Sequence, residues 1–194
     1  MFKIFFLLVL HWICVETCGD YYWRDYDGRI PVDAIPAGNN TDGLSYIGQA
    51  YVHHYGLLLG TIIPPAMEMK IPCYGVVVTN IIIKILCAPN LSKFHWVPTT
   101  VDRFKKDTRD QCPVLGGYDR KAWEDRGTLG NLNIGRTREH GDVIIGNIAS
   151  FDPKEVWFYY PLDGGEKRAF HYEVLVYRGD PTLNTVTSIS ISKD

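Results

Sequence analysis

Tyr46-Ile47-Gly48-Gln49-Ala50 and Asn133-Ile134-Gly135-Arg136-Thr137 decide the architecture, because the second stretch echoes the first at a set distance. Ile47 and Ile134 lie 87 positions apart, and the later glycines Gly60 and Gly146 lie 86 apart. Gly75 with Gly164, and Leu86 with Leu175, are both separated by 89. Nearly equal offsets in one register are the mark of a duplicated structural unit. Working outward, the first copy spans residues 23–88 and the second 94–177, with Trp23 and Trp96 near their starts. A unit of this size is marginal as an independent core. The two copies are therefore expected to pack on each other, or to exchange strands, within one compact body.

The local patterns are those of strands. Residues 46–52, 57–63, 81–87, 134–138, 143–149, 156–160 and 172–177 are short runs rich in β-branched and aromatic side chains. Gly43, Gly56, Gly130 and Gly141 fall between them, where turns need backbone freedom. No window holds apolar residues at helical spacing for long enough to predict a helix. The fold class is all-β, made of two pseudo-symmetric antiparallel repeats. Residues 103–109 and 120–126 have no counterpart in the first copy and read as exposed charged loops. Trp123, within the second, is the tryptophan expected to be exposed; Trp23 and Trp96 are expected to pack in the core.

At the ends lie segments outside the repeat. Lys3 precedes an apolar run of 11 residues, 4–14, that stops before Glu16. That is too short to span a bilayer, and it has the build of a secretory signal peptide, 1–19, with cleavage favoured after Gly19. Residues 178–194 form a tail that alternates loosely, like an edge strand or a lone arm. The expected location is extracellular, with no membrane span. Asn39-Asn40-Thr41 and Asn90-Leu91-Ser92 make Asn39 and Asn90 candidate glycosylation sites, in keeping with that route. Cys73, Cys87 and Cys112 survive the cut, which predicts one bridge and one free or intermolecular thiol. Cys87 with Cys73 and Cys87 with Cys112 are both compatible with the spacing, and a cut before Cys18 leaves room for two bridges.

Composition narrows function by exclusion. With 20 Lys+Arg against 22 Asp+Glu, the chain carries a formal net charge of −2 and no clustered positive face for nucleic acid. No nucleophile elbow, zinc-protease helix, phosphate loop or dinucleotide fingerprint occurs, so neither enzyme activity nor a cofactor is expected. His53-His54 is not expected to hold a metal, since neighbouring strand residues point to opposite faces.

The pattern Trp…Ile-Pro…Ala…Gly, then Tyr-Ile-Gly-x-Ala, then Tyr172-Glu173-Val174-Leu175-Val176, resembles the DM-nine repeat family. That family includes invertebrate mannose-type lectins and the lectin-like part of natterin toxins. The resemblance covers residues 23–177 and rests most specifically on Tyr46-Ile47-Gly48, Gly117-Tyr118-Asp119 and Ile134-Gly135-Arg136. It implies antiparallel β-structure, a capacity to dimerise, and recognition of mannose-type glycans or glycoproteins on cell or microbial surfaces. It further implies that Asp119, beside Tyr118, lines a sugar site, with Asn147 standing where the family has lysine and Glu166 matching a family acid. In the first copy, Asn40 and Thr61 replace the charged pair, and residues 75–77 are apolar where Glu166 has its counterpart. The chain thus reads as a secreted lectin-like protein. The alternative is a degenerate repeat with a structural or protein-binding extracellular role.

Overall fold

The computed structural model describes residues 19–178 apart from Pro153, and gives only the backbone at Trp123 and Arg126. The predicted signal peptide up to Cys18, the tail from Gly179 and the Trp123 side chain lie outside the described residues. The first half holds β1 (Tyr22–Asp25), β2 (Pro36–Asn40), β3 (Gly43–Val52), β4 (Gly56–Ile62), β5 (Met69–Pro72), β6 (Val76–Thr79) and β7 (Lys84–Cys87). The second holds β8 (Phe94–Thr100), α1 (Phe104–Asp107), β9 (Cys112–Pro113), β10 (Leu115–Asp119), α2 (Arg120–Arg126) and β11 (Asn131–Glu139). It continues with β12 (Asp142–Ile148), β13 (Phe158–Leu162), β14 (Gly165–Ala169) and β15 (His171–Tyr177). The fold is all-β, and the strands pair antiparallel.

Both halves use one pairing scheme. Trp23 faces Leu86 across β1 and β7, and Trp96 faces Leu175 across β8 and β15. Gly48 faces Gly60 in the β3–β4 hairpin, and Gly135 faces Gly146 in β11–β12. Each half keeps its own strands, and β4 pairs with β10 through Leu57–Tyr118 and Gly56–Asp119 to join them edge to edge. A side chain at Gly117 would put its Cβ 2.1 Å from the Leu57 carbonyl oxygen, so this seam closes only over glycine. Opposite it, Gly56 turns the chain at φ +113°.

Strand alternation then sorts the side chains. Ile47, Leu59 and Leu86 from the first half meet Val114, Ile134, Ile145 and Leu175 from the second in a shared central core. The opposite sheet faces make two outer cores, one under the β5–β6 hairpin around Ile62, Ile71 and Ile85, the other around Phe158, Val174 and Val176.

Four expectations are corrected. The charged insertions contain short helices rather than plain loops. In α2 the Asp119 carboxylate caps the first turn and Arg120 pairs with Glu124 one turn on. In α1 the buried Phe104 anchors a single turn whose Asp107 accepts from Thr99 Oγ1 at 2.9 Å. The strand expected over residues 81–87 starts at Lys84, because Ile82 takes φ +49° in an exposed turn. His53 and His54 sit in the β3–β4 turn, not on a strand, with ring centroids 3.8 Å apart. Finally, Cys73 and Cys87 are free and buried while Cys112 is disulfide-bonded, so neither expected pairing of Cys87 forms. The Cys87 thiol donates instead to the Ile85 carbonyl of its own strand.

Candidate functional site

Asp119, Asn147 and Glu166 line one cleft of about 360 Å³ at the joint between the halves. Leu58, Leu132 and Phe151 form apolar walls, Tyr74, Trp157 and Tyr159 add aromatic faces, and Asp125, Asp152 and Glu155 add further carboxylates. Strand order explains the meeting. The β4–β10 seam brings Asp119 to the joint, the β11–β12 pairing presents Asn147, and the β13–β14 pairing sets Glu166 opposite Pro161.

Asp119 is held from both ends. Its Oδ1 accepts from the Lys121 backbone N–H at 2.8 Å, and its Oδ2 accepts from the Tyr74 hydroxyl at 2.8 Å. Tyr74 comes from the first half, at the β5–β6 turn, with φ +54°. The Lys121 ammonium lies over the rings of Tyr55 and Tyr74, 5.4 and 4.8 Å from their centroids, which sets a cation beside the acid. Burial, then the Asp119 hydrogen bond and charge, push the Tyr74 phenol well above its ordinary range. The turn also reaches Glu166, whose Oε2 accepts from the Tyr74 backbone N–H at 2.9 Å. Burial raises the Glu166 carboxyl above the usual carboxylate range; N–H groups of Tyr74 and Gly75 oppose this, and Asp119 adds to it. Next to them the Cys73 thiol is pushed up to about 11 by burial and by the Glu166 and Asp119 charges. It therefore holds its proton at neutral pH, and a thiol so held is a poor nucleophile.

Asn147 has another task. Only 5% exposed, it accepts from the Leu59 N–H at 2.9 Å through Oδ1 and donates to the Pro72 carbonyl at 3.1 Å through Nδ2. Its amide fastens the halves at the cleft floor. The first-half counterparts do the same work from the other side. Thr61 Oγ1 accepts from the Ile145 N–H at 2.8 Å, and Asn40 Oδ1 accepts from the Val143 N–H at 2.8 Å. Tyr118, expected beside Asp119 in the site, lies outside the cleft. It is 41% exposed in a wider hollow of about 690 Å³ with Trp23, Gln49 and Leu129, which Asp119 also borders.

The remaining predicted positions are at the surface. Asn39 is exposed on β2, its carbonyl taking a bond from Arg138. Asn90 is exposed, and its Oδ1 caps the turn at Leu91–Lys93 by accepting from the Ser92 N–H and hydroxyl. Sequence reasoning missed Tyr74 altogether and left Trp157 and Lys121 unassigned. Trp157 donates to Glu155 at 2.9 Å and carries the Arg168 guanidinium 4.3 Å above its ring. Among the described residues no group of three or more His, Cys, Asp or Glu side chains is placed to hold a metal ion. None of the described helices is long and apolar enough to cross a membrane.

No protein-family model and no curated protein sequence matches the chain. Among solved structures, the nematode sperm cell motility protein MFP2B is similar, with a TM-score of 0.58 at 16% identity. The match covers 84% of this chain and 47% of that one, so the chain spans about half the length of the structure it matches. A likeness at that identity is one of fold alone, and the all-β architecture is what the two chains share.

Proposed function

We propose that this chain is a secreted, non-enzymatic lectin-like protein that recognises mannose-type glycans in the cleft at the joint of its halves. The observation that carries the reading is the convergence of Asp119 and Glu166 with the rings of Tyr74 and Trp157 in one concave site. Ionised carboxylates accept hydrogen bonds from sugar hydroxyls, and aromatic faces pack against the apolar side of a pyranose. Concave sites of this kind, apolar with a few convergent polar groups, are where small ligands bind. The cation expected of such a site is absent at Asn147; Lys121 of α2 lies over the Tyr74 ring but outside the lining of the cleft.

The test is a glycan-array screen of the deglycosylated protein with two charge-removing variants. Asp119→Asn keeps the helix cap, since Asn and Asp cap equally well; Glu166→Gln keeps shape. Replacing a charge-assisted bond by a neutral one is worth about 1.4 kcal/mol, roughly tenfold in affinity. Saturable binding to mannose-terminated glycans, reduced about tenfold in each variant, is the expected result.

One observation favours a second reading, a degenerate repeat that serves as a structural or protein-binding module. Asn40, Thr61 and Asn147 are all spent on the joint. That reading expects an extracellular protein partner whose capture free sugars leave unchanged, together with an empty array.

A further inference from the structure

We propose that the hollow around Trp23 is a second ligand site, distinct from the cleft, that takes the flat face of one uncharged sugar ring. The argument comes from its counterpart in the other half. Trp23, Lys84 and Gln49 share one sheet face, as do Trp96, Glu173 and Arg136, because their strands pair in the same register. In the second half the space beside the tryptophan is filled from within. The Arg136 guanidinium lies 4.4 Å from the Trp96 ring centroid, donates to the Ala37 carbonyl, and pairs with Glu173 at 2.7 and 3.1 Å.

In the first half no described side chain takes that place. Gln49 is shorter than arginine and, among the described residues, keeps only the bond across the joint, donating from Nε2 to the Gly116 carbonyl. Lys84 stands in the register position of Glu173, and Asp25 draws its ammonium away at 2.6 Å. What remains is an open space walled by Trp23, Leu57 and Tyr118 over a floor of Gly116 and Gly117.

Gln49 is 6% exposed, and among the described residues its Oε1 accepts no hydrogen bond. An amide oxygen open to such a space is free to accept from a ligand hydroxyl. The vacancy is the shape of a planar group stacked on indole, and its lining carries one cation, Arg120, and one carboxylate, Asp119, so it favours neither sign of charge. A pyranose meets all three conditions. Its apolar face covers Trp23, one hydroxyl donates to Gln49 Oε1, and it brings no charge.

The test is a two-dimensional NMR titration of the full ¹⁵N-labelled chain with methyl α-mannoside, methyl β-glucoside and, separately, N-acetyl-argininamide. The Trp23 indole signal is identified from Trp23→Phe, and the Gln49 amide from Gln49→Glu. A methyl glycoside is expected to shift both signals saturably, with Glu166→Gln leaving this response unchanged even if the cleft binds nothing. Gln49→Arg puts into the hollow the side chain that Arg136 puts on Trp96, and is expected to weaken the response at least tenfold while the remaining spectrum stays folded. Trp23→Phe, which keeps an apolar wall, is expected to weaken glycoside binding at the Gln49 signal severalfold. Signals at Trp23 and Gln49 that no glycoside moves, or that move as before in a folded Gln49→Arg, overturn the proposal. So does a response to the arginine derivative alone, which marks a peptide-binding site instead.

Discussion

The two halves share one strand register and differ in what they leave open. Across the joint, Gln49 and Arg136 each donate to a carbonyl of the opposite half, at Gly116 and Ala37. Leu59 and Ile145 each donate a backbone N–H to a side chain of the other half, at Asn147 and Thr61. The reciprocal bonds follow from geometry, since a buried N–H facing the partner sheet needs an acceptor whatever residue supplies it. Other positions have diverged in character. Asp119 and Glu166 make the second half acidic where Asn40 and Val77 leave the first neutral, and Arg136 closes beside Trp96 the space that Gln49 leaves beside Trp23. A duplicated fold thus keeps its joint symmetric and lets its surfaces differ.

The largest expected effect tests the symmetry of the joint. Leu59→Ala and Ile145→Ala each remove a fully buried side chain from the shared core, and each should cost about 2–5 kcal/mol in denaturant unfolding. Similar losses fit one common core; a loss below about 1 kcal/mol in either variant breaks the comparison. Next comes the asymmetry of the polar fastenings. Asn147→Ala leaves the Leu59 N–H and the Pro72 carbonyl without partners and should cost about 1–3 kcal/mol. Thr61→Ala frees a single N–H at a less buried position and should cost less. Equal costs would mean that the second Asn147 bond adds nothing.

The smallest effects lie in pH dependence, and their signs are opposite. Glu166 has a raised folded-state pKa, so its contribution is complete below the unfolded value and is lost as pH rises through the folded one. Asp142 is lowered, first by the Thr41 backbone N–H and then by its hydroxyl, so its contribution is present above the unfolded value and lost as pH falls through the folded one. Relative to the parent, Glu166→Gln should gain stability from acid to neutral pH, and Asp142→Asn should lose it. Parallel stability–pH curves for the two variants would contradict both assignments.

Much of the fold was legible because strand pattern and repeat spacing are local or additive signals. The β-branched runs marked β3, β4, β11, β12 and β15, and the tyrosine-rich run marked β13. α1 and α2, with 4 and 7 residues, are too short to show a period and form through local devices: the Asp119 cap, the Arg120–Glu124 pair and the Phe104 anchor. The candidate site was legible only in part. Asp119 and Glu166 were found from motif positions, yet Tyr74 binds both across the joint from an unremarkable turn, and spacing along a chain does not tell which distant tip will dock on which acid. Asn147 was placed at the cleft, but its fastening of the two halves was not foreseen. A neutral amide in a charged residue's position reads as a weakened ligand contact until the Leu59 N–H that it satisfies is seen.

The most direct test of the account is calorimetric titration of the deglycosylated protein with a mannose-terminated oligosaccharide, alongside Glu166→Gln. Glu166 touches the cleft but not the Trp23 hollow, and its replacement spares the joint bonds of Asn147. The account predicts saturable binding by the parent chain and an affinity about tenfold lower in the variant. An absence of binding, or equal affinity in a variant that is still folded, would contradict it.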